Sequence, residues 1–209
     1  DEALRQCERG ADFIDIGGQS TRPGSEPVEE AAELKRVVPI FEALAGRLSA
    51  PLSIDTDKAA VARECLTAGA SIVNDISALR NDPAMAEQAR RAEAVILMHR
   101  GGGSPKTMQE APFYRDVVAE VRGFLEERAD FFTASGGDRT RVLIDPGIGF
   151  GKDLNHNLSL IKHIEEFSRV APVVLGISRK SFLGRLMAPK GGQVPGPEER
   201  LEGSLAAAC

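Results

Sequence analysis

Six short apolar segments, separated by helical stretches, constrain the fold of this chain more than any other feature of its sequence. Each segment is rich in Val, Ile or Leu, a composition typical of buried parallel strands. The segments lie at residues 13–16, 52–54, 72–73, 95–97, 142–144 and 173–175. Amphipathic stretches separate them and no hairpin signal occurs, so the pattern predicts an α/β protein with a parallel sheet covered by helices.

Two arrangements of such a sheet remain open, a doubly wound Rossmann-like sheet and a TIM (β/α)8 barrel. No G-x-G-x-x-G motif follows a predicted strand, and Gly151-Lys152-Asp153 lacks the hydroxyl residue of a P-loop. We therefore favour an incomplete barrel, with about six of the eight βα units in a single domain over residues 1–209. The first and last strands of the barrel are expected to lie outside this sequence.

Polar side chains stand at or directly after the end of each predicted strand. They are Asp15, Asp55, Asn74 with Asp75, His99, Asp145, and Ser178 with Arg179 and Lys180. The carboxyl ends of the strands of a parallel barrel converge on one face, which is where barrel enzymes place their active sites. The pattern therefore predicts one polar site at this end of the barrel.

Charge and composition exclude several classes of partner. The net charge of −5, from 26 Lys and Arg against 31 Asp and Glu, provides no overall field that attracts nucleic acid or acidic lipid. No apolar stretch approaches the roughly 20 residues that cross a bilayer. Three widely spaced cysteines suit neither a disulfide framework nor a zinc site. We expect a cytoplasmic protein that acts on small molecules.

Four of the strand-end residues suit a flat, polar heterocycle. Asp55 and Asp145 offer carboxylate acceptors, Asn74 an amide that donates and accepts, and Lys180 an ammonium donor. A carboxylate can accept two parallel N–H bonds from an amino-pyrimidinone edge. The alternative is structural: Asp145 and Lys180 would form an ion pair and Asn74 would cap a turn.

Two further segments have the chemistry of an anion site. The loop at residues 19–24 carries a hydroxyl and the guanidinium of Arg22 directly after a strand, and the segment Ser178-Arg179-Lys180-Ser181 combines two cations with two hydroxyls. The glycine-rich segment around Phe150 would let backbone approach a ligand while the aromatic ring covers it. An ordinary βα turn with a solvated arginine is the competing interpretation for residues 19–24, and a plain glycine-rich turn is that for the segment around Phe150.

With these motifs in this order, the chain resembles the bacterial dihydropteroate synthase family, the sulfonamide-sensitive transferases of folate and tetrahydrofolate biosynthesis. The motifs are DIGGQSTRPG at residues 15–24, SIDT at 53–56, VNDIS at 73–77, LMH at 97–99, DPGIGFGK at 145–152 and SRKSFLG at 178–184. The resemblance spans nearly the whole chain and implies a pterin-binding TIM barrel that acts as a homodimer. It also implies the condensation of 6-hydroxymethyl-7,8-dihydropterin pyrophosphate with p-aminobenzoate, which yields 7,8-dihydropteroate and pyrophosphate.

The resemblance further implies roles for individual residues. Those of the pterin pocket would be Asp55, Asn74, Met98, Asp145, Gly176 and Lys180. Those bordering p-aminobenzoate and pyrophosphate would be Thr21, Arg22, Phe150, Ser178 and Ser181. Asp145, Lys180 and Arg22 would be the catalytic residues, with Mg²⁺ assisting departure of the pyrophosphate. The Asn that binds Mg²⁺ in the family is expected before Asp1, so no metal ligand is assigned in this chain.

Gln19 stands where the family usually has Glu, directly before Ser-Thr-Arg-Pro-Gly. Two other functions stand as alternatives to the synthase. One is a pterin-binding methyltransferase domain on a related barrel, which needs no site for pyrophosphate or p-aminobenzoate. The other is a non-catalytic pterin-binding remnant.

Overall fold

The computed structural model describes residues 1–20, 25–101 and 112–209, and its centre is a parallel sheet. The strands are β1 (Ile14–Gly17), β2 (Leu52–Asp55), β3 (Ile72–Asp75), β4 (Ala94–Met98) and β5 (Val142–Asp145). The helices are α1 (Glu2–Glu8), α2 (Glu30–Leu44), α3 (Ala59–Thr67), α4 (Met85–Arg91), α5 (Val117–Ala134), α6 (Leu154–Lys162), α7 (Ile164–Ser168), α8 (Ser181–Met187) and α9 (Leu201–Ala208). No helix in these ranges has the length and apolar character needed to span a membrane.

The strand order decides between the two predicted arrangements. The five strands lie side by side in chain order, from β1 to β5, and every neighbouring pair is parallel. A doubly wound sheet reverses its winding direction at a switch point, whereas a barrel adds each strand to the same side. The order therefore confirms the barrel architecture and excludes the Rossmann-like sheet.

The sixth predicted strand is only partly formed. Val173 makes one isolated parallel bridge with Ile144 of β5, held by bonds from Ile144 N to Pro172 O at 3.0 Å and from Val174 N to Ile144 O at 2.9 Å. Pro172 has no N–H to donate to a ladder, and proline confines a segment to the edge of a sheet. The prediction of six strands is thus corrected to five regular strands and one bridged segment.

Two helices begin where side chains satisfy free backbone N–H groups. Asp116 accepts from Val118 N and Ala119 N at the start of α5, and Asp153 forms a reciprocal capping box with His156 at the start of α6. The apolar face of α5 packs on the sheet through residues spaced by one or more turns. These are Val117, Val121, Leu125, Ala129 and Phe132.

The register sends alternate residues of each strand to opposite faces. Ile54 pairs with Val73 across β2 and β3, and Leu97 pairs with Ile144 across β4 and β5; all four are fully buried in the core shared with the helices. The intervening residues therefore face the inside of the barrel. At the strand ends these are Gly17, Asp55, Asn74, Met98 and Asp145.

Truncation of Ile54 tests this core. Ile54 is fully buried, so we expect Ile54→Ala to lower the free energy of unfolding by about 3 kcal/mol, through lost burial and the cavity left behind. Ile40 on α2 is 44% exposed, and Ile40→Ala should stay within about 0.5 kcal/mol of wild type. Urea denaturation followed by circular dichroism measures both; equal effects at the two positions would contradict the assigned core.

Candidate active site

Asp55 and Asn74 lie side by side at the ends of β2 and β3, as their register pairing requires. Asn74 Nδ2 donates to Asp15 Oδ2 at 3.0 Å, which turns the amide oxygen of Asn74 away from Asp15. Asp15 belongs to the same face of β1 as Gly17, two residues later, and desolvation by the surrounding strand ends raises its pKa. Asp15 was among the strand-end residues that predicted a polar site, but it was given no role in binding substrate.

The Asp55 carboxylate has unsatisfied hydrogen-bonding capacity. Its Oδ1 is buried and has no hydrogen-bond partner among the described residues. Burial, reinforced by the negative charges of Asp15 and Asp57, raises the pKa of Asp55 to about 8. An unpartnered buried acceptor is costly, so this oxygen is suited to a ligand N–H group.

Asp145 is held beneath a turn that only glycine fits. Gly147 N donates to Asp145 Oδ1 at 2.7 Å, and Asp145 O accepts from His99 N at 2.9 Å. Gly147 has a φ of 69°, and a Cβ at this position would lie 1.9 Å from His99 O. Burial raises the pKa of Asp145, an effect that the nearby positive charge of Lys180 opposes. One carboxylate oxygen is thus fixed by backbone, while the other remains for a ligand.

Lys180 enters the same region from the segment before α8. Its ammonium donates to Ile148 O and lies 4.6 Å from the centre of the Phe150 ring. Burial lowers the pKa of Lys180, whereas the charge of Asp145 opposes that change. Lys180 and Asp145 attract one another electrostatically, but no ion pair within 4 Å joins them in the described part of the chain.

Gly176 and Met98 occupy positions beside these charged groups. A Cβ on Gly176 would lie 3.5 Å from Lys180 Nζ and 3.7 Å from Asp145 Oδ2, so the glycine leaves open the space between the two. Met98 pairs with Asp145 in the β4–β5 register and is almost fully buried. All six residues predicted for the pterin pocket therefore lie at the same end of the sheet. Their contacts with a substrate stay predictions.

Lys152 is a buried ammonium that sequence reasoning did not assign to the site. Its Nζ contacts His99 Nδ1 at 2.9 Å and donates to Phe150 O at 2.9 Å, which ties the glycine-rich segment to the end of β4. Desolvation lowers the pKa of Lys152 to about 7 and, with the charge of Lys152 itself, lowers that of His99 to about 2. His99 therefore stays neutral and serves the structure. No sequence signal identifies Lys152 as part of the site; only its burial in the structure does.

The residues predicted to border p-aminobenzoate and pyrophosphate are only partly located. Phe150 lies against Lys180, and Ser181 lines a cavity of about 270 Å³ together with Gly149, Lys152 and Arg185. Ser178 is exposed in the turn before Lys180. Thr21 and Arg22 fall outside the described residues.

Asp75 directly follows Asn74 in β3, but its carboxylate accepts hydrogen bonds from the backbone and does not belong to the site. It accepts from Ser77 N at 2.7 Å and Leu79 N at 2.9 Å, and so supports a turn in which Ala78 and Leu79 have positive φ. In the described ranges, no group of three or more His, Cys, Asp or Glu side chains is arranged to hold a metal ion. The described residues alone therefore do not provide a set of side-chain ligands for Mg²⁺.

The raised pKa of Asp55 predicts a specific pH dependence of stability. Between the unfolded value of 3.8 and the folded value of about 8, the folded state keeps a proton that the unfolded state has lost, so stability falls as pH rises. Asp55→Asn removes this dependence. We expect its melting temperature to rise relative to wild type from about pH 4.5 to about pH 8, as measured by calorimetry. A difference that is constant or decreases over this range would contradict the assignment.

Comparison with known proteins agrees with this geometry. A family model described as pterin binding enzyme matches residues 1–209. Dihydropteroate synthase of Escherichia coli K12 is 46% identical over 200 residues, which cover 95% of this chain and 68% of the relative. That of Synechocystis is 40% identical over 209 residues, which cover 100% of this chain and 71% of the relative.

Solved structures of the same enzyme have the same fold. Yersinia pestis dihydropteroate synthase in complex with a sulfonamide drug superposes with a TM-score of 0.90 at 40% identity, covering 99% of this chain and 73% of that one. The Xanthomonas albilineans enzyme in complex with 7,8-dihydropteroate gives 0.83 at 40% identity, covering 98% and 71%. The chain therefore belongs to the dihydropteroate synthase family, transferases on a TIM barrel that condense 6-hydroxymethyl-7,8-dihydropterin pyrophosphate with p-aminobenzoate in folate biosynthesis.

Proposed function

We propose that the family's condensation takes place at the ends of β2 to β5, with the pterin held by Asp55, Asn74, Asp145 and Lys180. The observation that carries this assignment is the unpartnered, buried Oδ1 of Asp55, which has no partner in the described ranges. A dihydropterin has several N–H groups around a flat ring. Such a ligand would supply the donor that the protein leaves missing.

Asp145 would recognise the amino-pyrimidinone edge and support the reaction. Its Oδ1 is occupied by Gly147 N, and its Oδ2 faces the space beside Gly176 and Lys180 Nζ. When pyrophosphate departs, the C–O bond breaks and positive charge develops on the pterin methylene. A fixed carboxylate in a buried site stabilises that charge without reorganising. Lys180 would donate to a ring nitrogen or carbonyl of the same heterocycle.

The amine of p-aminobenzoate then forms the new C–N bond and loses a proton. A weakly basic aniline needs no strong general base to expose its lone pair. His99 is not suited to act as a general base, since its ring contacts Lys152 and burial lowers its pKa to about 2. The ring of Phe150 and the hydroxyl of Ser181 would border the aminobenzoate, with Thr21, Arg22 and Ser178 on the pyrophosphate side.

Ligands of relatives support this choice of substrates. The Thermus thermophilus enzyme, 42% identical with a TM-score of 0.88, was solved in complex with 4-aminobenzoate, and the Xanthomonas albilineans enzyme with 7,8-dihydropteroate. The Yersinia pestis complex contains a sulfonamide drug. Sulfonamide inhibition is accordingly expected here also. The identity to named synthases leaves no observation that favours the methyltransferase or the non-catalytic remnant.

Asp145→Asn tests the pterin site. Asparagine keeps an oxygen for Gly147 N but removes the charge, so we expect a dihydropterin pyrophosphate analogue to bind about a hundredfold more weakly by titration calorimetry. The exposed carboxylate of Asp12 offers a matched control, and Asp12→Asn should bind as wild type does. Circular dichroism would verify folding, and wild-type affinity in folded Asp145→Asn would overturn the assignment.

Mg²⁺ is proposed as the ion that assists departure of the pyrophosphate. When bound, it would supply positive charge to the departing group; the described residues contain no group of three or more His, Cys, Asp or Glu side chains arranged to hold it. A reducing compartment, the cytoplasm, is proposed from the free thiols of Cys7, Cys65 and Cys209.

We further expect a homodimer that uses the apolar surface of α8 and α9. Leu186 and Leu201 are each 48% exposed and Leu205 is 59% exposed, and α8 packs on α9. Clustered exposed leucines are typical of interfaces.

Leu205→Lys should raise the dimer dissociation constant at least about tenfold in sedimentation equilibrium. Leu158→Lys on α6 should not, and a wild-type chain that stays monomeric would contradict the proposal.

A further inference from the structure

An ion pair with a buried carboxylate lies outside the pterin pocket, between the start of α2 and the start of α3. Lys58 Nζ lies 2.5 Å from Glu33 Oε2, and the Glu33 carboxylate is almost fully buried. Thr56 Oγ1 donates to the other oxygen, Glu33 Oε1, at 2.8 Å. Both oxygens of this buried acid are therefore satisfied, and the pair is fixed to the residue that directly follows Asp55.

The same lysine reaches the connection between β1 and α2. Lys58 Nζ donates to Gln19 Oε1 at 3.0 Å, and Val28 N donates to the same oxygen at 2.8 Å. Gln19 is the second residue of this connection and Val28 is the second from its end, so one side-chain oxygen joins its two sides. Ser25 Oγ adds a second link, to Ser20 O at 2.6 Å.

The start of the connection also packs tightly on α2. A Cβ on Gly18 would lie 2.8 Å from Glu33 Cγ and 2.9 Å from Val37 Cγ1, and Arg36 donates to Gly18 O at 2.8 Å. Neither the base of the connection nor Glu33 can shift independently of the other.

We propose that Gln19, with the Lys58–Glu33 pair behind it, is a positioning residue that sets the β1–α2 connection relative to the end of β2. This inference rests on the proposed function, since the connection contains the residues expected on the pyrophosphate and aminobenzoate side. We expect a selective effect on one of the two substrates. Loss of the Gln19 acceptor should affect use of p-aminobenzoate and leave the pterin pocket, which is built from other strand ends, as it is.

The test compares two substitutions at one position. Gln19→Met has nearly the same shape but no acceptor, whereas Gln19→Glu keeps an oxygen for both Val28 N and Lys58 Nζ. We expect Gln19→Met to raise the KM for p-aminobenzoate about tenfold, the effect of losing a charge-assisted hydrogen bond, and to speed hydrogen exchange at the Val28 amide. The pterin analogue should bind within about twofold of wild type.

Controls separate this inference from the function on which it rests. Gln19→Glu should restore the KM to within about threefold of wild type, and Gln6→Met, at an exposed glutamine of α1, should change nothing. An unchanged KM in Gln19→Met, or an equal defect in Gln19→Glu, would overturn the positioning role. Equal loss of pterin and p-aminobenzoate binding would overturn it also. Failure of the wild-type chain to bind the pterin analogue would instead refute the proposed function.

Discussion

Desolvated carboxylates at the ends of parallel strands are the constraint on which this site depends. Asp55 and Asp145 lie at the same end of the sheet because the register leaves them no other position. Removal from water raises the pKa of both groups. At Asp145 a backbone hydrogen bond offsets part of the free-energy cost of desolvation. At Asp55 less of this cost is offset, because Oδ1 has no partner in the described chain. A ligand rich in N–H groups would complete what the fold leaves open.

The glycine-rich segment after β5 and the buried lysine beneath it explain how Asp145 can be held so firmly. Gly147 can approach His99 O only because it lacks a Cβ, and Lys152 joins Phe150 O to the His99 ring. Two lysine side chains, Lys152 inside the scaffold and Lys180 facing the pocket, lie near the carboxylate of Asp145. Because their surroundings differ, Lys152 has a structural role and Lys180 is available to bind substrate.

Sequence periodicity was sufficient for the five regular strands and for the polar positions that end them. It failed at residues 173–175, where Pro172 removes a donor and only Val173 bridges to the sheet. The contacts of Asp15 and Lys152 were not predicted, for another reason. Their importance comes from contacts with Asn74 and His99, which are distant in the chain, and neither apolar pattern nor turn chemistry reveals such contacts.

The most direct measurement is the number of protons exchanged when a dihydropterin pyrophosphate analogue binds near neutral pH, obtained by calorimetry in buffers of different ionisation enthalpy. With a pKa raised to about 8, Asp55 is largely protonated in the free protein, and a ligand N–H favours its charged form. We expect proton release on binding, reduced or absent in Asp55→Asn. Binding without proton release, or the same release in the variant, would contradict it.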